Sequence, residues 1–405
     1  MCRALTTSPD SPAPDERLAL LLLASGFSLQ PLSTDLYLPS LPSLSRYFAV
    51  TPAAIQTTLT LFVLGFGVTQ LLAGPLSDRY GRRPVALGGY AVYCAASLLC
   101  ACASSLTVLL VGRLLQAIGC CGVVVAARAL VRDSYEPAAG AQLLARSSSL
   151  LALAPLIGPV LGGYCQVWLG WRAAFWLLGA LSVWFALFAR AHWQESNLNP
   201  DAEALRPARL LAAYREVASH PEFRAYVLPA ALTYSAIFIF IAGSSFAFID
   251  VLGVTPEHYG LCFAGGVSGY LGGTLCCRRW LRRRTLQDLL AAGTTLTAIG
   301  GCGLWLAVRY DFASVGVLLT AQFLVMFAHG INQPCAQAGA LAPFKTRAGA
   351  AAGLLGSVSM AVALGSASLL ALLADGSLQP LATLAAAVGG LCLLAGQLPT
   401  RLRRL

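Results

Sequence analysis

The sequence predicts an all-α membrane protein, and three observations predict it. Of its 405 residues 57% are hydrophobic and 11% charged, whereas soluble domains are about 45–50% apolar. Apolar runs of near twenty residues recur at 18–38, 53–73, 85–104, 106–126, 142–165, 173–190, 225–249, 258–277, 286–307, 313–334, 348–373 and 380–398, each long enough to cross a bilayer as a helix. Basic residues crowd alternate connections, the asymmetry that keeps such loops cytoplasmic. About twelve spans follow, with both termini inside.

With that orientation the inner segments hold Arg79, Arg82, Arg83, Arg128, Arg132, the basic residues of 206–224, the Arg278 to Arg284 cluster, Lys345, Arg347, Arg401, Arg403 and Arg404, and the outer loops only Arg46, Arg172 and Arg309. The net charge of +10 is thereby explained without nucleic acid. Met1 to Glu16 is polar, and no cleavable signal is expected. Thirteen cysteines show neither metal-ligand spacing nor a pairing pattern and read as small hydrophobic fillers. The polar stretch 191–224 divides the spans six and six, giving halves 1–190 and 225–405. Within it, Pro207 suits a helix start, Leu210, Leu211, Tyr214 and Val217 share one face, and Pro221 ends the pattern. That pattern predicts an amphipathic helix on the cytoplasmic membrane surface.

The first span carries Asp35, a carboxylate well inside an apolar run, and the fourth carries Arg113. A guanidinium in hydrocarbon cannot deprotonate and needs a partner or water. Counted from one membrane face, the two residues lie roughly 8 and 10 Å deep at 1.5 Å per residue. Asp35 is therefore expected to pair with Arg113, a titratable acid beside a permanent cation.

After the second span runs Gly74-Pro75-Leu76-Ser77-Asp78-Arg79-Tyr80-Gly81-Arg82-Arg83-Pro84. It resembles, almost residue for residue, the loop signature of major facilitator transporters. The corresponding loop Arg278 to Arg284 keeps the charge but lacks Asp-x-x-Gly. The glycines, Gly74 and Gly81, allow close approach and a tight turn, and the resemblance implies a gate in which Asp78 meets the amino end of span eleven and, with Arg82 and Arg132, favours one gate state. Arg113-Leu114-Leu115-Gln116-Ala117-Ile118-Gly119 resembles the fourth-span signature assigned to proton coupling, with Ala117 in place of a glycine. Ala154-Pro155-Leu156-Ile157-Gly158-Pro159-Val160-Leu161-Gly162-Gly163 is similar to the fifth-span signature of antiporters. Pro155 and Pro159 remove donors and bend the span, while Gly158 and Gly162 make a small-residue stripe. Gly265, Gly269 and Gly273 of span eight are expected to face that stripe and seal the halves against leak.

Leu32 to Pro42, Ala127 to Asp133, Gly170 to Phe175 and Ala348-Gly349 together resemble the bacterial Bcr/CflA drug:proton antiporters with twelve spans. One departure is Gly243-Ser244-Ser245-Phe246, where that subfamily has Ser-Pro-Phe. The resemblance implies a monomeric inner-membrane exporter of amphipathic drugs. It needs no cofactor, is driven by the proton gradient, and its partners are the small-molecule substrate, protons and the lipid bilayer. A proton-coupled exporter of a sugar, amino acid or siderophore is the alternative on the same scaffold, and a non-transporting receptor or scaffold is a third reading. No nucleotide loop, metal-ligand cluster or Ser/His/Asp grouping supports an enzyme. Candidate substrate contacts are Tyr37, Phe62, Gln116, Tyr234, Phe238, His329, Asn332 and Gln333, aromatic or polar residues within apolar runs.

Overall fold

The computed structural model describes residues 15–136, 139–140, 143–144, 146–147, 154–344 and 347–399. The expectations on Lys345, Arg401, Arg403 and Arg404 lie outside them. The described residues are helical without strands. Nine helices among them are long and apolar enough to span, from Pro52–Tyr80 to Gly349–Leu373, and Gln379–Ala395 is a shorter apolar helix. The first span is Glu16–Asp35, and the fifth is described as Ala154–Trp168.

Partner choice repeats with an offset of six. Span two packs on span four as eight packs on ten, three on four as nine on ten, and three on six as nine on twelve. The first six and last six spans meet where two contacts eleven and five contacts eight. This cross-pairing places cavities between the two groups rather than inside either.

Local chemistry sets the element ends. Thr51, Ser105 and Ser314 each accept a backbone N–H from the first turn of spans two, four and ten. Gly81, at φ +99°, ends the Pro52–Tyr80 helix and starts Arg82–Ala101, a conformation that favours glycine. Span seven is α-helical over Pro221–Ser245 and continues as a π-helix over Phe246–Val251. The segment whose proline is missing relative to the subfamily thus continues helical with wider turns. The described cysteines are free thiols, and Cys277 and Cys335 lie 3.7 Å apart through their sulfurs.

The helix Pro207–Ser219 forms as expected, and Pro221 opens the next helix. One side of it rests on protein. Val217 is fully buried, the Tyr214 hydroxyl donates to the Leu71 carbonyl of span two at 2.7 Å, and Glu216 pairs with Arg347 beside span eleven. The predicted apolar face is split, because Leu211 stays 51% exposed. This helix therefore bridges the two groups of spans at the end bearing Asp78, Arg82, Arg132 and Arg347, called here the basic end.

Candidate functional site

Arg113 is fully buried, yet it does not pair with Asp35. Its Nη1 donates to Gln116 Oε1 at 2.8 Å and its Nε to the Thr58 carbonyl at 3.5 Å. The guanidinium carbon lies 4.5 Å from the ring centroids of both Tyr37 and Phe62. Gln116 in turn donates to Ser97 Oγ at 2.8 Å, and Tyr37 and Thr58 share a hydroxyl hydrogen bond at 3.0 Å. Charge is thus accommodated by two aromatic faces and a side-chain carbonyl. The expected ion pair fails for a geometric reason. Matching depth does not fix the direction a side chain takes around the helix axis, and Arg113 turns toward spans two and three.

Asp35 ends the first helix and is 3% exposed. Thr34 Oγ1 donates to its Oδ1 at 3.0 Å, and no cation lies within salt-bridge distance among the described residues. The span-five stripe packs directly on it. A Cβ at Gly158 would stand 3.2 Å from the Asp35 Cβ, and one at Gly162 would reach 1.9 Å from the Leu36 carbonyl oxygen.

The expected meeting of the two glycine stripes is corrected. Gly269 and Gly273 abut the carbonyls of Phe323 and Phe327 on span ten, and Gly265 has nothing within 4 Å. Spans five and eight do touch, but through Gly163 against the Pro256 carbonyl and Gly260 against the Pro159 carbonyl. Span eight alternates faces, and its Gly265-to-Gly273 row is used for packing within the last six spans. Pro159 therefore acts at this contact, while Pro155 lies partly buried in the first turn of the described helix. At the same end Arg46 and Asp250 form an ion pair at 3.6 Å between the two groups.

At the basic end Asp78 pairs with Arg82 at 2.5 Å and with Arg132 at 3.7 Å, and Arg82 pairs with Asp133 at 2.8 Å. Asp78 does not cap span eleven, contrary to expectation. Arg132 occupies that approach, with its Nη1 3.4 Å from the position of a Cβ on Gly349. Gly74 makes no close approach either, since a Cβ there meets nothing within 4 Å, and it borders a cavity. Glu195 is a functional neighbour that sequence reasoning missed. Its carboxylate accepts the backbone N–H groups of Arg82 at 2.8 Å and Arg83 at 3.0 Å. Asn197 and Asp201 donate to the Asp78 carbonyl at 2.8 and 3.0 Å. No periodic signal in 191–224 marks these residues.

Two connected cavities open from the basic end. The outer, about 710 Å³, is lined by Gly74, Asp78, Arg132, Tyr214, Arg347 and Gly353 among others. The inner, about 430 Å³, is lined by Phe27, Gln30, Phe66, Tyr234, Gln333, Gln337, Ser359 and Met360. Gln70, Arg128, Leu144 and Ala352 border both. Of the expected substrate contacts, Tyr234 and Gln333 line the inner cavity. Phe238 stacks behind Tyr234 at 6.3 Å, and His329 lies buried between the rings of Tyr234 and Tyr270. Tyr37, Phe62 and Gln116 belong to the Arg113 cage, and Asn332 is buried against Gly293 and Thr297. These four do not line either cavity. Gln30 and Gln70 were visible as amides within apolar runs, and that was the signal for them.

Residues 23–287 match the family model described as Major Facilitator Superfamily. Over 341 residues the chain is 30% identical to Multidrug resistance protein D of Escherichia coli (strain K12), covering 83% of this chain and 84% of that one. It is 36% identical over 248 residues to a Chloramphenicol resistance protein of Pseudomonas aeruginosa, covering 61% and 58%. Among solved structures, a D-xylose-proton symporter aligns with TM-score 0.74 at 14% identity, covering 94% of this chain and 96% of that one, a likeness of fold.

Proposed function

The chain belongs to the Major Facilitator Superfamily, and from that premise we propose that it exports amphipathic drug-like molecules across the bacterial cytoplasmic membrane in exchange for protons. It is a multi-pass membrane transporter and not an enzyme. The printed names of its relatives, multidrug and chloramphenicol resistance proteins, support drug export. In this reading 1–190 and 225–405 rock about the 191–224 linker, both termini are cytoplasmic, and the protein works as a monomer without cofactor. The basic end is then the cytoplasmic end, and the cavities admit substrate from inside while the contacts of Gly163 and Gly260 close the outer side.

The observation that carries proton coupling is Asp35. It is a buried carboxylate with one hydroxyl donor and no cation in salt-bridge range among the described residues, and it is packed against span five, which meets span eight across the interface. An unpaired charge is costly there, so proton occupancy and separation of the two groups of spans are linked. Arg113 is a positioning residue that grips Tyr37 and so fixes the turn that follows Asp35. Asp78, Arg82 and Arg132 hold the cytoplasmic ends of spans two, three and four together, and Pro155, Gly158, Pro159 and Gly162 shape the span that moves against Asp35. Tyr234 and Gln333 contact substrate.

Inverted vesicles holding a preformed proton gradient test the proposal. Addition of chloramphenicol or an aromatic dye should dissipate the gradient with the wild type and not with Asp35→Asn. Resistance should vanish with a protonophore in a host lacking other pumps. Drug accumulation that ignores the proton gradient contradicts the reading.

A further inference from the structure

Arg128 lies on span four, where the two cavities join, and makes no ion pair or hydrogen bond among the described residues. Its guanidinium stands 5.5 Å from the Phe27 ring centroid and is open to the cavity. The carboxylates along the mouth are already taken. Asp78 is held by Arg82 and Arg132, Asp201 by Arg209, and Glu216 by Arg347. Among the described residues the inner cavity is lined by no carboxylate, and Arg128 is its one permanent charge. Around it stand the amides of Gln30, Gln70, Gln333 and Gln337, and the Gln70 Oε1 is buried without a partner.

We propose that Arg128 is the anion-recognising residue of the substrate cavity, and that the preferred cargo carries a carboxylate or sulfonate on an aromatic body. A guanidinium that faces a cavity without a counter-ion leaves its fork of N–H donors free, and an anionic oxygen pair can engage two of them at once. The amides orient the remaining acceptors and donors of the ligand, and Phe66 and Tyr234 offer it aromatic faces on the two sides of the interface. Arg82 and Arg132 are taken by Asp78 and Asp133, and Arg113 lines neither cavity. The proposal rests on the transport reading above for the identification of the cavity as the substrate path.

The test uses full-length protein in phosphatidylcholine nanodiscs and equilibrium dialysis of three labelled probes of nearly equal shape: 1-naphthoate, 1-naphthamide and 1-naphthylmethylammonium. Wild type should bind naphthoate about tenfold or more tightly than naphthamide, the scale of one charge-assisted contact, with the ammonium weakest. Arg128→Gln should abolish that preference by weakening naphthoate about tenfold while changing naphthamide by less than about twofold. Retained naphthamide binding also reports that the variant is folded. Arg128→Lys should keep part of the preference. Absence of naphthoate binding to wild type, equal affinity for the acid and the amide, or equal loss of both in Arg128→Gln overturns the proposal. So does displacement of naphthoate by phosphatidylglycerol nanodisc lipid, which would make a lipid phosphate the occupant. Proton-driven export confined to neutral and cationic drugs would sink this inference and leave the transport reading standing, whereas naphthoate selectivity without proton-driven export would do the reverse.

Discussion

The ring of Tyr37 lies against the guanidinium of Arg113 at 4.5 Å, with Phe62 on another side at the same distance. This contact, together with the Tyr37–Thr58 hydroxyl hydrogen bond at 3.0 Å, ties the turn after span one to spans two and four. Asp35, two residues earlier, is thereby left facing span five.

Arg113→Lys should therefore fail nearly as badly as Arg113→Ala. An ammonium cannot reproduce a planar group that faces two rings and donates to Gln116 at once. Transport in proteoliposomes should drop about tenfold or more, the scale of one lost charge-assisted bond, with the protein still inserted. Tyr37→Phe keeps the ring over the cation and should lose much less. Wild-type rates in Arg113→Lys would remove the cage from the mechanism.

Asp35→Asn should bind drug yet fail to move it uphill, because the amide has nearly the shape of the acid but no exchangeable charge. Drug binding and drug-driven proton flux are measured on the same preparation. Loss of both together would indicate a structural role at the span-five contact.

Glycine substitutions should sort by contact. A Cβ at Gly260 would meet the Pro159 carbonyl oxygen at 2.4 Å and one at Gly162 the Leu36 carbonyl oxygen at 1.9 Å, whereas Gly265 has open space. Gly260→Ala and Gly162→Ala should oppose the closed outer side and allow protons to leak without drug, since backbone cannot yield as a flexible side chain does. Gly265→Ala should be silent. Proton leak in vesicles reads all three, and equal behaviour would detach the span-five contact from sealing.

The Asp78, Arg82, Arg132 and Asp133 cluster predicts non-additive losses. Asp78→Asn removes the negative charge that two arginines share. A following Arg132→Gln should then cost little more, as expected for members of one network. Independent, additive effects on transport in the double-mutant cycle would mean that these charges act only in membrane topology.

Glu195 receives two backbone N–H groups at the start of span three. Glu195→Ala should lower stability by about 0.5–2 kcal/mol, as for other caps of a helix amino terminus. Gly81→Ala should cost more, because the backbone there has φ +99° and a Cβ would press within 2.5 Å of the Glu195 Oε2. Thermal unfolding in detergent measures both, and unchanged midpoints would show that the linker does not hold this turn.

The spans, their number and the basic bias of alternate connections are properties of the chain itself, because bilayer thickness and the need to satisfy every backbone polar group act on local sequence. The loop after span two and the arginine in span four were legible for the same reason: polar residues in or beside hydrocarbon are conspicuous. Which way those residues point was decided by packing. Asp35 and Arg113 match in depth but diverge in direction, the glycine row of span eight serves span ten rather than span five, and Asp78 bonds its own neighbours. Each of these depends on the rotation of a helix about its axis, and in an almost uniformly apolar span the sequence pattern sets that rotation weakly. The cavity shows this most plainly. Arg128, Gln30, Gln70, Tyr234 and Gln333 are far apart in sequence, and only the meeting of spans from both ends of the chain places a cation without an ion pair among the described residues beside amides and aromatic rings.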